Sequence, residues 1–237
     1  SVRVCEEQER IQYGGWIQIT RRKTPRLLIM KALVLNLERR QDRRELFDST
    51  NGNKLLSYEY SKYVQDGENV TYEKLKERGF NTNKNWIDPI EETHLTKGEV
   101  GCFLSHWYAW MYCVEYNEPL LILEDDVVFV DNFSDKFFEG YKYIPDDWEM
   151  IYLGCNHKRP YTRINDHVVK CNFAYTTSAI IVKQSSIEKL LRATKHMHRQ
   201  IDVVYAEMQA AGQLNAYAFN PWLMYQEDGW SDIQNRH

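Results

Sequence analysis

Leu120-Leu121-Ile122-Leu123-Glu124-Asp125-Asp126-Val127 is the stretch on which the fold turns. Four aliphatic residues without polar alternation read as a short strand buried on both faces, and this one ends in three consecutive carboxylates. Upstream of Pro119, the residues Val100, Phe103, Leu104, Trp107, Trp110, Met111 and Val114 recur at three- and four-residue steps, which predicts a long helix with one apolar stripe. The same alternation of strand and helix continues outward. Residues 27–37 read as a strand and 38–47 as a helix. An extended piece follows over 55–64, then a helix over 72–78 stopped by Gly79, then a polar loop over 89–97. On the far side, 132–143 read as a helix, 148–153 as a strand, 156–167 as a polar loop and 178–182 as a strand. Ser185 and Glu188 form a capping-box pattern for the next helix, 201–211 a further helix stopped by Gly212, and 216–225 an extended segment. The expectation is an α/β domain over 27–237 with a mostly parallel central sheet between helices, preceded by an extension or peripheral segment over 1–26.

Composition excludes more than it selects. The chain has 237 residues, 43% hydrophobic and 27% charged, so one large domain can bury a core unaided. A net charge of −4 without a long basic run argues against a partner dominated by the nucleic-acid backbone, although a modified base as acceptor stays open. Tyr and Trp are plentiful, 16 and 7, and suit sugar or base stacking as well as core filling. The five cysteines include no Cys-x-x-Cys pair, which points to neither a zinc ribbon nor a disulfide framework. With no apolar run of membrane-spanning length and a polar start, the expected compartment is reducing and cytoplasmic. Asn69 of Asn69-Val70-Thr71 is expected to cap a helix rather than carry a glycan.

Three adjacent acids at the end of a buried strand repel one another and resist burial, so they require a cation or basic side chains. Oxygen ligands suit Mn2+ or Mg2+, and few protein ligands leave positions for diphosphate oxygens. Strand alternation puts Glu124 and Asp126 on one side as the metal-facing pair, with Asp125 on the other, bonded to ribose or to neighbouring backbone. A solvated acidic turn accounts for the same three residues without a metal.

Several blocks resemble glycosyltransferase family 25, which includes bacterial lipooligosaccharide galactosyltransferases and collagen hydroxylysine galactosyltransferases. They are Val34-Leu35-Asn36-Leu37-Glu38-Arg39-Arg40-Gln41-Asp42-Arg43-Arg44, then Gly98-Glu99-Val100-Gly101-Cys102-Phe103-Leu104-Ser105-His106, Trp110, and the strand with Glu124-Asp125-Asp126. Weaker echoes are Trp148-Glu149-Met150-Ile151-Tyr152-Leu153-Gly154, residues 179–191, Ile201-Asp202 and Gly229-Trp230-Ser231-Asp232. The resemblance implies a GT-A-like fold, a UDP-sugar donor (commonly UDP-galactose), Mn2+, and inversion at the anomeric carbon. It also implies a hydroxyl acceptor, either hydroxylysine of a collagen-like protein or an oligosaccharide.

Inversion in one displacement needs a base for the acceptor hydroxyl, and Asp202 is the candidate; a helix-start acid favoured by the dipole is the structural alternative. Asn36, Arg40 and Arg43 follow the first strand, where such folds receive the nucleotide, and are expected at the donor with Glu99, Ser105, His106 and Asp125. For these, a solvated helix face, a helix-start acid, an internal hydroxyl and a core histidine are the structural alternatives. Asp232 is a late candidate for the metal or acceptor. Two other classes remain: a catalytically silent module of the same fold, and a metal-dependent phosphoryl-transfer enzyme, which needs a further carboxylate constellation.

Overall fold

The computed structural model describes residues 30–227, apart from 56, 84, 86, 89, 91, 93, 117 and 198. The extension expected over 1–26 and the candidate Asp232 lie outside the described residues. In chain order the elements are β1 (Lys31–Leu35), α1 (Gln41–Asn51), β2 (Glu59–Tyr60), α2 (Tyr72–Glu77), β3 (Asn81–Thr82), α3 (Lys97–Tyr116), β4 (Leu120–Glu124), β5 (Val127–Phe129), α4 (Phe133–Tyr141) and β6 (Met150–Tyr152). They continue as β7 (Asn156–His157), β8 (Thr162–Arg163), β9 (Val168–Lys170), β10 (Ala174–Tyr175), β11 (Ala179–Val182), α5 (Ile187–Ala193), β12 (His196–Met197), α6 (Ile201–Ala210), β13 (Ala216–Phe219) and β14 (Met224–Gln226).

Eight strands make the main sheet, in the order β2-β1-β4-β11-β6-β13-β9-β8. Six run one way and only β11 and β9 are reversed, so the sheet is mostly parallel in direction, with helices flanking it. Two features of register build the functional edge. β1 and β4 run parallel with Leu35 beside Glu124, so the residues that follow both strands, Asn36 and Asp125, emerge together. β11 runs against β4 with Ala179 beside Leu123, which carries its leading residues, Thr177 and Ser178, to the same edge.

The apolar runs explain the sheet. Leu120, Leu121, Ile122 and Leu123 are all buried, as is β11 throughout, which is why neither strand alternates. α3 packs on β4, α5 and α6. Its buried face comprises Val100, Phe103, Leu104, Ala109, Trp110 and Cys113, whereas Met111 and Val114, expected on the apolar stripe, are exposed. At 100° per residue Met111 falls off a face centred on Phe103, His106, Trp110 and Cys113, whereas Val114 lies close to that face but two residues from the end of the helix. Met111 instead joins Tyr63, Tyr108 and Tyr112 around a groove of about 450 Å³.

Two expected caps are corrected. Ser185 does not cap α5, which begins after a 3-10 turn over Gln184–Ser186; the Ser186 hydroxyl turns back to the carbonyls of Lys183 and Glu149. The cap of α2 is Thr71 rather than Asn69: the Thr71 hydroxyl accepts from the Lys74 amide at 3.2 Å. Gly79 and Gly212, expected helix stops, both adopt the left-handed conformation, with φ of 83° and 66°. The polar loop over 156–167 contains β7 and β8, short pairings too brief for periodicity to register. Among the described residues no helix is long and apolar enough to cross a membrane.

Candidate active site

The strand β4 stops at Glu124, and Asp125 and Asp126 form a turn before the chain re-enters as β5. Strand alternation therefore does not apply beyond Glu124, and the three acids are handled in three different ways. Glu124 faces inward. Its Oε1 accepts from the Thr177 hydroxyl at 2.6 Å and lies 3.4 Å from His106 Nε2, while its Oε2 accepts from the Ser178 hydroxyl at 3.3 Å. Burial pushes its pKa up, but His106, Thr177 and Ser178 outweigh that and hold the carboxyl below its ordinary value.

Asp125 is neutralised by its neighbours. Asn36 Nδ2 donates to one oxygen at 2.7 Å and to the Arg40 carbonyl at 3.0 Å, and Arg43 Nη1 donates to the other oxygen at 2.8 Å. Parallel β1 delivers Asn36 level with the turn, which is how it reaches Asp125. Burial still raises the Asp125 pKa against Asn36 and Arg43.

Asp126 has the least compensation. Gln226 Nε2, from β14, donates to Oδ2 at 3.2 Å, but Oδ1 is buried and, among the described residues, without a hydrogen-bond partner. Burial and the charges of Glu124 and Asp125 raise its pKa to about 7. An orphaned buried carboxylate oxygen is a costly feature unless something occupies it, and hard oxygen chemistry fits Mn2+ or Mg2+. Glu124 belongs to a different grouping: its carboxylate, Cys102 Sγ and His106 lie within 4.8 Å of one another. That set suits a hard cation poorly, because burial and the Glu124 charge hold the Cys102 thiol protonated, its pKa well above the ordinary value.

Asp202 opens α6. Its Oδ1 accepts from the Val203 amide at 2.9 Å and its Oδ2 from the Thr176 amide at 3.3 Å. Burial, with the charges of Glu124 and Glu99, lifts its pKa to about 6 against those two amides. Thr176, Thr177 and Ser178 thus link the Asp202 and Glu124 carboxylates in one short segment. Thr176 has φ of 101°, a conformation that costs a β-branched residue of order 1–3 kcal/mol and is maintained here by its surroundings. Sequence reasoning missed this segment; the only signal was Thr-Thr-Ser ahead of an apolar strand.

The remaining candidates sit as follows. Glu99 and Thr96 form a reciprocal capping box on α3: the Glu99 amide donates to Thr96 Oγ1 at 3.1 Å and the Thr96 amide to Glu99 Oε2 at 2.7 Å. Gln200 donates to the other Glu99 oxygen at 2.9 Å, joining the starts of α3 and α6. The Ser105 hydroxyl donates to the Gly101 carbonyl at 2.8 Å and accepts from the Gln65 amide at 2.9 Å, tying the loop before α2 to α3. His106 is fully buried, with Nδ1 unpartnered among the described residues. Arg40 reaches Asp42 through two bonds of 2.9 and 2.7 Å and holds that carboxyl down at about 2. The structure thus gathers Asn36, Arg43, Glu124, Asp125, Asp126, His106 and Asp202 at one sheet edge, and gives Glu99 and Ser105 scaffold contacts.

Comparison with known proteins adds to this geometry. The profile of Glycosyltransferase family 25 (LPS biosynthesis protein) matches residues 29–220. Procollagen galactosyltransferase 2 of Homo sapiens is 28% identical over 214 residues, covering 81% of this chain and 34% of that protein. Inactive glycosyltransferase 25 family member 3 of Mus musculus is 32% identical over 184 residues, covering 73% and 30%. The chain thus spans about a third of the length of these relatives. A solved Drosophila β1,4-galactosyltransferase 7 mutant in complex with manganese, UDP-Gal and xylobiose superposes over 84% of this chain and 71% of that chain, with 12% identity and a TM-score of 0.38.

Proposed function

The chain belongs to glycosyltransferase family 25, and from that premise we propose that it is an active, cation-dependent transferase moving a hexose, galactose foremost, from a UDP-sugar to a hydroxyl acceptor with inversion. The observation that carries the reading is the buried Oδ1 of Asp126 at the carboxyl edge of the sheet, without a hydrogen-bond partner among the described residues. Arg43 and Asn36 satisfy Asp125, and Thr177 and Ser178 satisfy Glu124, so unmet negative charge concentrates on Asp126. Asp126 would hold Mn2+ or Mg2+, with the charge of Glu124 beside it. When bound, the ion supplies Lewis-acid neutralisation of the charge that builds on the departing diphosphate.

Asp202 is assigned the acceptor's proton. A carboxyl with a pKa of about 6 is ionised at neutral pH yet more basic than an ordinary aspartate, which suits a general base. The amides of Thr176 and Val203 fix its orientation. The acceptor is hydroxylysine of a collagen-like protein or an oligosaccharide hydroxyl; a relative named procollagen galactosyltransferase supports the first.

The experiment is a thermal melt with UDP and Mn2+ together, followed by an assay for UDP release from UDP-galactose. Ligand linkage predicts a rise in Tm of several degrees for the unsubstituted chain and none for Asp126→Asn. No shift in the unsubstituted chain removes the reading. A shift with neither hydrolysis nor transfer across an acceptor screen assigns the chain instead to the silent class to which the mouse relative's name belongs.

A further inference from the structure

Past β6 the chain gathers a second set of ligand atoms that the transfer reaction does not use. Cys155 Sγ, a ring nitrogen of His157 and Cys171 Sγ lie within 4.8 Å of one another. Cys155 Sγ is 3.5 Å from His157 Nε2 and 4.0 Å from Nδ1. Both cysteines are free and buried in the main apolar cluster, and His157 is half-buried. They converge through strand pairing: His157 on β7 lies beside Ala174 on β10, and Cys171 directly follows β9.

We propose that Cys155, His157 and Cys171 form a zinc site. Tetrahedral zinc, with Zn–S of about 2.3 Å and Zn–N of about 2.0–2.1 Å, sets a sulfur and a nitrogen ligand about 3.6 Å apart. The 3.5 Å between Cys155 Sγ and His157 Nε2 is therefore an edge of such a tetrahedron already in place. Two thiolates and a neutral imidazole around Zn2+ carry no net charge, so the loaded group is compatible with the apolar core in which both sulfurs lie. Thiolate and imidazole ligands select zinc over Mn2+ and Mg2+, so this site and the carboxylate edge take different ions. Three protein ligands leave one position to water.

The consequence is mechanical. β10 runs directly into Thr176, Thr177 and Ser178, which hold Asp202 and Glu124. An ion clamping β7 to the end of β9 braces that wall of the active site without touching substrate.

Metal analysis of the purified full chain tests the proposal. About one zinc per chain is expected, retained through dialysis against Mn2+. Replacement by Co2+ after chelation should give a sulfur-to-cobalt charge-transfer band in the near ultraviolet. Cys155→Ser and Cys171→Ser should each lose the zinc and the band, while Cys113→Ser keeps both. Should a serine variant not fold, the cobalt spectrum of the unsubstituted chain decides alone: no thiolate band at saturating Co2+ overturns the site. A disulfide between Cys155 and Cys171 in the non-reduced protein, or a band that survives both serine substitutions, overturns it equally.

Discussion

The blocks Gly98–His106 and Glu124–Asp126 are equally conspicuous in sequence, and the fold uses them in opposite ways. The first makes contacts that hold backbone elements together. Gly101 lets the backbone of Gln65 and Gly67 approach α3 so closely that a Cβ there would lie 2.6 Å from the Gln65 carbonyl oxygen and 2.8 Å from the Gly67 amide. Glu99 caps the helix, Ser105 ties down the same loop, and His106 Nε2 lies 3.4 Å from Glu124 Oε1. In the second block Asp126, and across the Thr176–Ser178 segment Asp202, are carboxyls whose burial raises their pKa above the ordinary value. A motif can be conspicuous because backbones must pack, and a chemical site shows itself by groups the fold leaves unsatisfied.

The sharpest way to break this contrast is Asp202→Asn. Transfer should fall by about a hundredfold or more, the scale of a general base, while the UDP and Mn2+ shift in Tm survives. In the unsubstituted enzyme the rate should fall about tenfold per pH unit below pH 6, where the base becomes protonated, and level off above. The stability sign is opposite. A folded pKa of about 6, above the ordinary 3.8, means the native state binds more protons between those values, so this group's contribution declines as pH rises through that window. Asp202→Asn should then melt no lower than the parent at pH 7, separating lost chemistry from lost folding. Full turnover in the variant removes the assignment.

Gly101→Ala attacks the structural side. The methyl group meets backbone rather than a flexible side chain, so a loss of about 1–3 kcal/mol is expected, read as a Tm lower by several degrees. The folded fraction should turn over at close to the parent rate. A variant of parental stability with a tenfold higher KM for UDP-sugar would place this block at the donor instead.

The smallest effect is expected from Glu99→Ala. Losing the capping box costs about 1 kcal/mol, a fall in Tm of a few degrees, with KM for the donor unchanged. Unchanged Tm with weakened donor binding would move Glu99 from scaffold to site.

Much of this was legible in sequence because the signals are local. The aliphatic run of β4, the long α3 and the left-handed glycines after α2 and α6 all follow from short-range patterns. Caps were less legible: Ser185 fits the pattern but α5 has no side-chain cap, and α2 is capped by Thr71 rather than Asn69, since several polar side chains near a helix start satisfy the same rule. Alternation ends at Glu124, the strand's last residue, because the chain turns at Asp125 and Asp126. Cys155 and Cys171, sixteen positions apart with His157 between, form no Cys-x-x-Cys pattern; strand pairing of β7 with β10 brings them together.

By itself the sequence determined the long helices and the longer buried strands, the family, and the arrival of three acids at a strand's end, since hydrophobic period and contiguous motifs need no partner to be read. Which acid is neutralised, which is braced and which keeps an oxygen unpartnered among the described residues was decided only in three dimensions. The parallel register of β1 brings Asn36 to Asp125, the reversal of β11 brings Thr177 and Ser178 to Glu124, and β14 brings Gln226 to Asp126. Those partners lie tens of residues away in the chain, and electrostatic compensation depends on distance in space, which periodicity along the sequence does not encode.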